Sequence, residues 1–338
     1  MTFDHDGHAT VGVTIPKIST PNLSQIVDIG CRLKALLTSP YPAPQPDALL
    51  ELFHGHSVEA SLLASALSIN ELRILEDAQL LRFDEGTVSS RFCAHVIEDL
   101  LVFTDPDVPA AQQSHTYLDP LWEARHLSRL LVRGRATTAL DMGCGSGILA
   151  LVLSSFADKV IGIDLNPRAV GVSRFNAALN GIHNVEFMEG DLFSPVAASR
   201  FERIIFNSPT HDEGDQYVSL LQTGEGILQR FLGSVPDRLT PNGYCHVNLG
   251  IWDNEDNPVS DKLRKWLGVH AHQYQLLLLT LSSLTVDHRG TLRRGWLSMR
   301  HGVGGVTELP YDYATLVTDP YEGSALIVAA MDALNHGS

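Results

Sequence analysis

The chain has few cysteines, few basic residues and no long apolar run, and each shortage excludes a class of protein. Its 338 residues include four cysteines, which lie far apart without the paired spacing of a zinc site or a disulfide framework. Basic residues number 24 against 39 acidic ones, a net charge of -15, whereas nucleic-acid binding depends on neutralising phosphates. Apolar stretches such as Leu276 to Leu281 are far too short to cross a bilayer. These shortages predict a cytoplasmic protein with no metal, no membrane contact and no nucleic-acid partner.

The most informative segment is a glycine-rich turn in the sequence T-A-L-D-M-G-C-G-S-G-I. An apolar strand ends in Asp141, glycines follow at Gly143, Gly145 and Gly147, and a helix-forming run begins at Ile148. Glycine lets a ligand approach bare backbone and permits turn conformations that a Cβ would forbid. A strand, a glycine turn and a helix in this order can hold a nucleotide-like cofactor at the helix N-terminus.

Polar residues also follow the next three predicted strands. The second strand ends in Asp164, and one carboxylate there could accept hydrogen bonds from both hydroxyls of a ribose. The third strand is followed by Asp191 and Leu192, and the fourth runs into N-S-P-T, which begins at Asn207. A dinucleotide-binding domain would explain Asp164 but would leave Asp191 and Asn207 without a role.

This ordered set resembles class I S-adenosylmethionine (SAM) dependent methyltransferases. More narrowly, it is similar to the "methyltransferase small" group, whose fourth strand ends in Asn-Pro-Pro-aromatic. The resemblance implies an α/β fold with a Rossmann-like, seven-stranded sheet, and SAM as cosubstrate or sole substrate. The residues that it assigns to SAM are Asp141, Gly143, Gly145, Gly147, Asp164, Asn166, Asp191, Leu192 and Asn207.

The resemblance also implies how these residues share the SAM molecule. The glycine turn should surround the methionine part, and Asp164 should hold the ribose hydroxyls. Asp191 should bond to the adenine amino group, with Leu192 or Phe193 beside the ring. Asn207 should face the sulfonium and the reacting nitrogen.

The chain departs from the family pattern where the substrate would stack. Ser208 replaces the first proline and Thr210 replaces the aromatic residue, although His211 could substitute in part. Without a stacking ring, a compact aliphatic amine fits better than a planar base or amide. The candidate catalytic residues are Asn207, Ser208 and Tyr117, whose ring could contact the sulfonium with ~0.5–2 kcal/mol or could equally belong to the core.

Two enzymatic functions remain open from the sequence. The first is N-methylation of a small aliphatic amine, which releases S-adenosylhomocysteine. The second is cyclisation of SAM itself to azetidine-2-carboxylate and methylthioadenosine, because azetidine-2-carboxylate synthases of bacterial peptide pathways are similar in using this fold. The expected partner is therefore a small-molecule amine, or, for cyclisation in a natural-product pathway, SAM alone, with a homodimer as one option.

Two domains are predicted, with residues 1–108 as a smaller, mainly helical, winged-helix-like cap and residues 109–338 as the SAM-binding catalytic domain. The predicted elements of the cap are helices over Ser24–Leu37, Asp47–Phe53, Val58–Leu67 and Ile69–Leu80, and a hairpin of Leu81–Phe83 with Val88–His95. The helices from Val58 to Leu80 carry four acidic residues and one arginine, which favours a lid or dimerisation domain over a DNA-binding regulator that senses SAM. The tail from Gly302 has no assigned structure.

Overall fold

A computed structural model describes residues 2–3, 9–10, 23–38, 48–106, 122–209, 224–286, 290–311 and 320–336. The helices are α1 (Leu23–Leu37), α2 (Ala48–Phe53), α3 (Ala60–Leu63), α4 (Ile69–Asp77), α5 (Trp122–Leu130), α6 (Ile148–Leu153), α7 (Pro167–Leu179), α8 (Gly224–Arg238), α9 (Val259–Leu267) and α10 (Pro320–His336). The strands are β1 (Thr2–Phe3), β2 (Ala9–Thr10), β3 (Ser57–Glu59), β4 (Leu81–Asp84), β5 (Thr87–Ser90), β6 (Cys93–Ile97), β7 (Leu100–Thr104), β8 (Ala136–Met142), β9 (Ala157–Asp164), β10 (Val185–Glu189), β11 (Phe201–Asn207), β12 (Leu239–Asp253), β13 (Tyr274–Val286), β14 (Gly290–His301) and β15 (Gly305–Pro310). Short 3-10 helices cover Ser194–Val196 and Gly268–Gln273.

The large sheet has the strand order β10-β9-β8-β11-β12-β14-β13-β15. The first five strands run parallel, and β14 is antiparallel to both β12 and β13. Seven of these strands form the predicted sheet with its reversed strand near one edge. The eighth, β15, pairs in parallel with β13 and comes from the tail that had no assigned structure, as does α10.

Helices cover both faces of this sheet because its parallel strands are apolar on both sides. On one face, α6 is buried along its whole length, and Ile327 and Met331 of α10 belong to the same apolar cluster as Trp296. On the other face, Phe231 of α8 contacts Phe206, with ring centroids 4.7 Å apart. Within the described ranges, no helix is long and apolar enough to span a membrane.

The N-terminal module contains α1–α4, a three-stranded sheet ordered β3-β5-β4, and the hairpin of β6 with β7. The predicted helix Val58–Leu67 is wrong at its start, because Val58 lies in β3 and pairs with β5. The predicted strand Val88–His95 is two strands. The chain turns between them, where the Ser90 hydroxyl accepts from the Phe92 amide at 3.1 Å and donates to the Phe92 carbonyl at 2.6 Å.

The module is attached to the large domain through α7. Apolar side chains of α7, among them Phe175 and Leu179, belong to the same core as α1 and α4. Asn176 of α7 and the C-cap residue Asn180 also form hydrogen bonds to the backbone of β7. Asn180 accepts from the Leu101 amide at 3.0 Å and donates to its carbonyl at 2.7 Å, and Asn176 bonds to both groups of Phe103 at 3.0 Å. The predicted boundary after residue 108 lies outside the described residues, and the role of the module as a cap stays a prediction.

Candidate active site

Those predicted site residues that the structure describes lie at the carboxyl edge of the large sheet. Strand register places Asp164 beside Glu189, and Asn207 beside Asn248. The glycine turn leaves the neighbouring strand β8 at the same edge, because β8 runs parallel to β9 and β11. Ligands of open α/β sheets bind at this edge, so the topology brings the turn, Asp164 and Asn207 together.

The glycine turn adopts a backbone that only glycine accepts easily. Gly143, Gly145 and Gly147 have φ values of +63°, +53° and +85°, all in the left-handed region. A Cβ on Gly147 would lie 2.9 Å from the Ser173 hydroxyl, whereas a Cβ on Gly145 would meet no heavy atom within 4 Å. Gly147 is therefore required by packing against α7, and Gly145 leaves open space. Burial raises the pKa of the Cys144 thiol well above its ordinary value, which agrees with a packing role for that residue.

Asp141 is fully buried and caps α6 from the preceding strand. Its Oδ2 accepts from the Ala150 amide at 2.8 Å, which is in the first turn of the helix, while the N-cap residue Gly147 has no side chain to do so. Its Oδ1 is buried and has no hydrogen-bond partner in the described structure. Burial raises the pKa of Asp141 from 3.8 to about 8, and the charge of Asp164 adds to the effect.

Replacing Asp141 by asparagine should change how stability depends on pH. The folded chain keeps a proton on Asp141 that the unfolded chain releases between pH 3.8 and about 8. The wild-type free energy of unfolding should therefore fall as pH rises through this window, by at most about 1.4 kcal/mol per pH unit. Asp141→Asn keeps an oxygen for Ala150 and removes this contribution. Urea unfolding of both proteins at pH 5, 7 and 9 measures the difference, and parallel curves would contradict the buried, protonated carboxyl.

Asp164 is held by two backbone amides at the end of β9. Its Oδ2 accepts from Gly145 and its Oδ1 from Asn166, both at 2.8 Å, so the carboxylate is tied to the glycine turn. Asn166 is itself buried as the N-cap of α7 and accepts from the Arg168 amide at 2.9 Å. Asn166 thus orients Asp164, and a carboxylate has about four lone-pair sites, enough for further donors.

The segment after β10 separates two residues that the sequence could not distinguish. Phe193 is buried and stacks on Phe231, with centroids 5.3 Å apart, so it belongs to the core. Leu192 has φ +48° and is partly exposed. Oδ2 of Asp191 pairs with Arg230 at 2.5 Å, and its Oδ1 is buried without a hydrogen-bond partner in the described structure. Of the two candidates, Leu192 is the more exposed, and its place beside the adenine ring stays a prediction.

Asn207 is held by residues that the sequence did not indicate. Its Oδ1 accepts from Asn248 Nδ2 at 2.7 Å, and the same nitrogen donates to Glu123 Oε2 at 3.1 Å. Ser208 is buried, and its hydroxyl donates to the Asn248 carbonyl at 2.6 Å. Ser208 therefore joins β11 to β12 through its side chain. Tyr117, Thr210 and His211 lie outside the described residues.

Two features define a class I SAM-dependent methyltransferase fold. The first is the strand order, in which the antiparallel β14 lies beside β12, and the second is the set of acidic residues around a glycine turn. The family model for the methyltransferase small domain matches residues 114–273. A Methanocaldococcus jannaschii protein with the provisional name protein N5-glutamine methyltransferase is 32% identical over 139 residues, which cover 38% of this chain and 70% of the relative. The chain belongs to the methyltransferase small-domain family.

Other relatives match over a smaller share of their length. The ribosomal RNA small subunit methyltransferase C of Alcanivorax borkumensis is 33% identical over 110 residues, 32% of this chain and 31% of the relative. Among solved structures, Trm5b from Pyrococcus abyssi is similar with a TM-score of 0.44 and 16% identity, over 66% of this chain and 62% of that chain.

These relatives correct the expectation about the substrate. The sequence predicted a small-molecule amine or SAM alone, and no nucleic acid. These two relatives are named for methylation of protein glutamine and of ribosomal RNA, so the expectation of a small-molecule substrate and no nucleic-acid partner is wrong. The physical reason is that the loss of one stacking residue, at Thr210, does not by itself change the class of substrate.

Proposed function

We propose that the chain is a SAM-dependent N-methyltransferase whose acceptor is a protein, at the primary amide nitrogen of a glutamine side chain. The observation that carries this proposal is the Asn207 amide, which is fixed by Asn248 at the carboxyl edge beside the glycine turn. The proposal keeps the role of Asn207 inferred from the sequence and replaces the aliphatic amine by an amide.

The residues around the turn fit SAM chemically. The space at Gly145 suits a ligand that lies on the backbone, and the carboxylate of Asp164 suits two ribose hydroxyls. Asp141 and Asp191 each have a buried oxygen without a hydrogen-bond partner in the described structure. Buried polar atoms of this kind normally have a partner. The adenine amino group of SAM could donate to Asp191, and the ammonium group of SAM could donate to Asp141 once the Asp141 carboxyl has released its proton.

A primary amide matches the Asn207 side chain better than an aliphatic amine does. Oδ1 of Asn207 accepts one hydrogen bond from Asn248 and, as a carbonyl oxygen, has a second lone pair. Its Nδ2 donates no hydrogen bond within the described structure. A glutamine amide offers an N–H to the oxygen and a carbonyl to the nitrogen, whereas an amine offers only N–H donors.

The charge of the described site favours a protein over RNA. Arg230 pairs with Asp191, and Arg168 pairs with Asp105, so each of these cations near the site is already neutralised by a carboxylate. Glu123 and Asp164 add negative charge at the same edge. Phosphate binding draws its affinity from unneutralised lysine and arginine, and the net charge of -15 acts against it.

In the proposed reaction, the amide nitrogen forms a bond to the SAM methyl carbon while the carbon–sulfur bond breaks. The products are N-methyl amide, S-adenosylhomocysteine and one proton. SAM supplies an activated methyl group, so the protein mainly has to align nitrogen, carbon and sulfur. Asn207 would accept a hydrogen bond from the N–H of the reacting nitrogen, and the lone pair of that nitrogen would then be directed toward the methyl group.

A labelling experiment tests this function. The purified chain is incubated with methyl-labelled SAM and an extract of cells from which its gene has been deleted, divided into nuclease-treated and protease-treated portions. Label should survive nuclease and be lost with protease, and peptide mass spectrometry should place a methyl group on glutamine. Label confined to RNA, no label in either portion, or methylthioadenosine from SAM alone would each overturn the proposal.

Replacing Asp164 by alanine should weaken SAM binding by about tenfold or more. Two charge-assisted hydrogen bonds contribute ~1.5–3 kcal/mol each, and each factor of ten corresponds to about 1.4 kcal/mol. Titration calorimetry measures the affinity. Asp158→Ala is the matched control, because Asp158 lies at the opposite end of β9 and is half exposed in an ion pair with Arg135. Equal affinities of the two variants would remove Asp164 from the SAM site.

A further inference from the structure

We propose that Glu123 and Asn248 are positioning residues that determine which way the Asn207 amide faces. This inference rests on the proposed function, because it assigns the orientation of the group that would hold the reacting nitrogen. It concerns residues from α5 and β12, which lie 125 positions apart along the chain.

The orientation follows from the donor and acceptor chemistry of three side chains. An ionised carboxylate such as Glu123 can only accept hydrogen bonds. The Asn248 group that faces it at 3.1 Å must therefore be the NH₂. The second hydrogen of this NH₂ is directed to Asn207 at 2.7 Å, so the atom of Asn207 on that side must be its oxygen. One carboxylate thus sets the orientation of two amides in sequence.

The surroundings of Asn248 keep this arrangement rigid. Asn248 is 3% exposed, and its backbone is paired with Asn207 on one side and with Trp296 on the other. Its carbonyl also accepts from the Ser208 hydroxyl at 2.6 Å. Hydrogen bonds are stronger in a buried, low-dielectric setting, and an amide there has no water to satisfy it in the reversed orientation.

The orientation decides what Asn207 offers to a substrate. In the observed arrangement, the second lone pair of Oδ1 can accept an N–H of the reacting amide. If the Asn207 amide turned over, NH₂ would take the place of the oxygen, and an N–H of the substrate would meet another N–H. The reacting nitrogen would then lose the contact that directs its lone pair.

Glu123→Gln tests the inference with almost no change of shape. A glutamine amide can donate or accept, so Asn248 is no longer forced to present NH₂ to it, and Asn207 can reverse. We expect kcat for methyl transfer to fall by about 10- to 100-fold, with SAM affinity unchanged in calorimetry. Asn248→Asp should have a similar effect, because an aspartate cannot donate to Asn207. Glu202→Gln is the matched control, since Glu202 accepts from the Thr137 amide at the opposite end of the sheet.

A second comparison separates positioning from structural support. If Glu123 acts through Asn207, Glu123→Gln should have no further effect on kcat in a chain that already carries Asn207→Ala. A purely structural role would lower kcat equally in both backgrounds. Wild-type kcat in Glu123→Gln, or an equal loss in both backgrounds, would overturn the inference.

Nuclear magnetic resonance of the full chain distinguishes this inference from the proposed function. With ¹⁵N-labelled asparagine, the side-chain NH₂ signal of Asn248 is identified by its loss in Asn248→Asp. Its hydrogen exchange should be slow in the wild type and at least about tenfold faster in Glu123→Gln. If exchange is faster in Glu123→Gln but no protein is methylated, the proposed function is refuted and the positioning role is kept. Methyl transfer with unchanged exchange would refute the positioning role alone.

Discussion

Replacing Asn207 by alanine is expected to lower kcat for methyl transfer by about 100-fold or more, the loss expected when alignment of the reacting atoms is removed. The variant loses the acceptor for the substrate N–H, while Asp164, the glycine turn and the two buried aspartate oxygens remain. SAM affinity should therefore change little. Single-turnover measurement of labelled product gives the rate, and calorimetry gives the affinity.

The matched control for this variant is Asn184→Ala. Asn184 also uses its side-chain amide in partly buried hydrogen bonds, to the carbonyls of Ser154 and Ala157 at 3.0 Å, but it lies near the amino ends of the strands. It should lose stability and keep its rate. A normal kcat in Asn207→Ala would move the chemistry to another group, and Tyr117 and His211 would be the next residues to replace.

The parts of the candidate site that could be predicted from the sequence are motifs whose residues are neighbours along the chain. The turn after Asp141 contains its own glycines, and Asp164 and Asn207 each end a strand whose apolar pattern is local. Because parallel strands place their carboxyl ends at one edge, the order of these motifs was enough to bring them together. The seven-stranded sheet followed from the same local patterns.

The parts that the sequence could not predict depend on pairing between distant segments. Asn248 lies within the long strand β12, and its neighbours in the sequence do not indicate a role at the site. Glu123 lies in the first turn of α5, where acidic residues are common. Val58 reads as helical because apolar residues follow at helical spacing, but β5 provides a better partner for its backbone. The tail strand β15 pairs with β13, which is distant in the sequence from the patterns that define the other strands.

One side chain of α7 links the N-terminal module to the glycine turn. Asn176 is fully buried, and its Nδ2 donates to the Phe103 carbonyl of β7 at 3.0 Å and to the Ser146 carbonyl in the glycine turn at 2.8 Å. A displacement of β7 would therefore disturb the hydrogen bond between Asn176 and the glycine turn. This link, together with the shared core on α7, gives the module a physical connection to the site.

The second contact between the module and the site is a buried ion pair, and breaking it should be strongly destabilising. Asp105 follows β7, and its carboxylate accepts from both terminal nitrogens of Arg168, one of them at 2.8 Å. Both residues are 4% exposed. Asp105→Ala would leave a buried guanidinium without this carboxylate, which typically costs about 3–5 kcal/mol. Urea unfolding measures the loss.

The same substitution should also weaken SAM binding, since Arg168 is in the first turn of α7 and its amide donates to the N-cap Asn166, which holds Asp164. The double variant Asp105→Ala/Arg168→Met removes both buried charges and should recover part of the lost stability. Asp158→Ala, which breaks an exposed pair with Arg135, should cost little. If the loss of stability in Asp105→Ala were as small as in that control, the ion pair would not be what holds the module against α7.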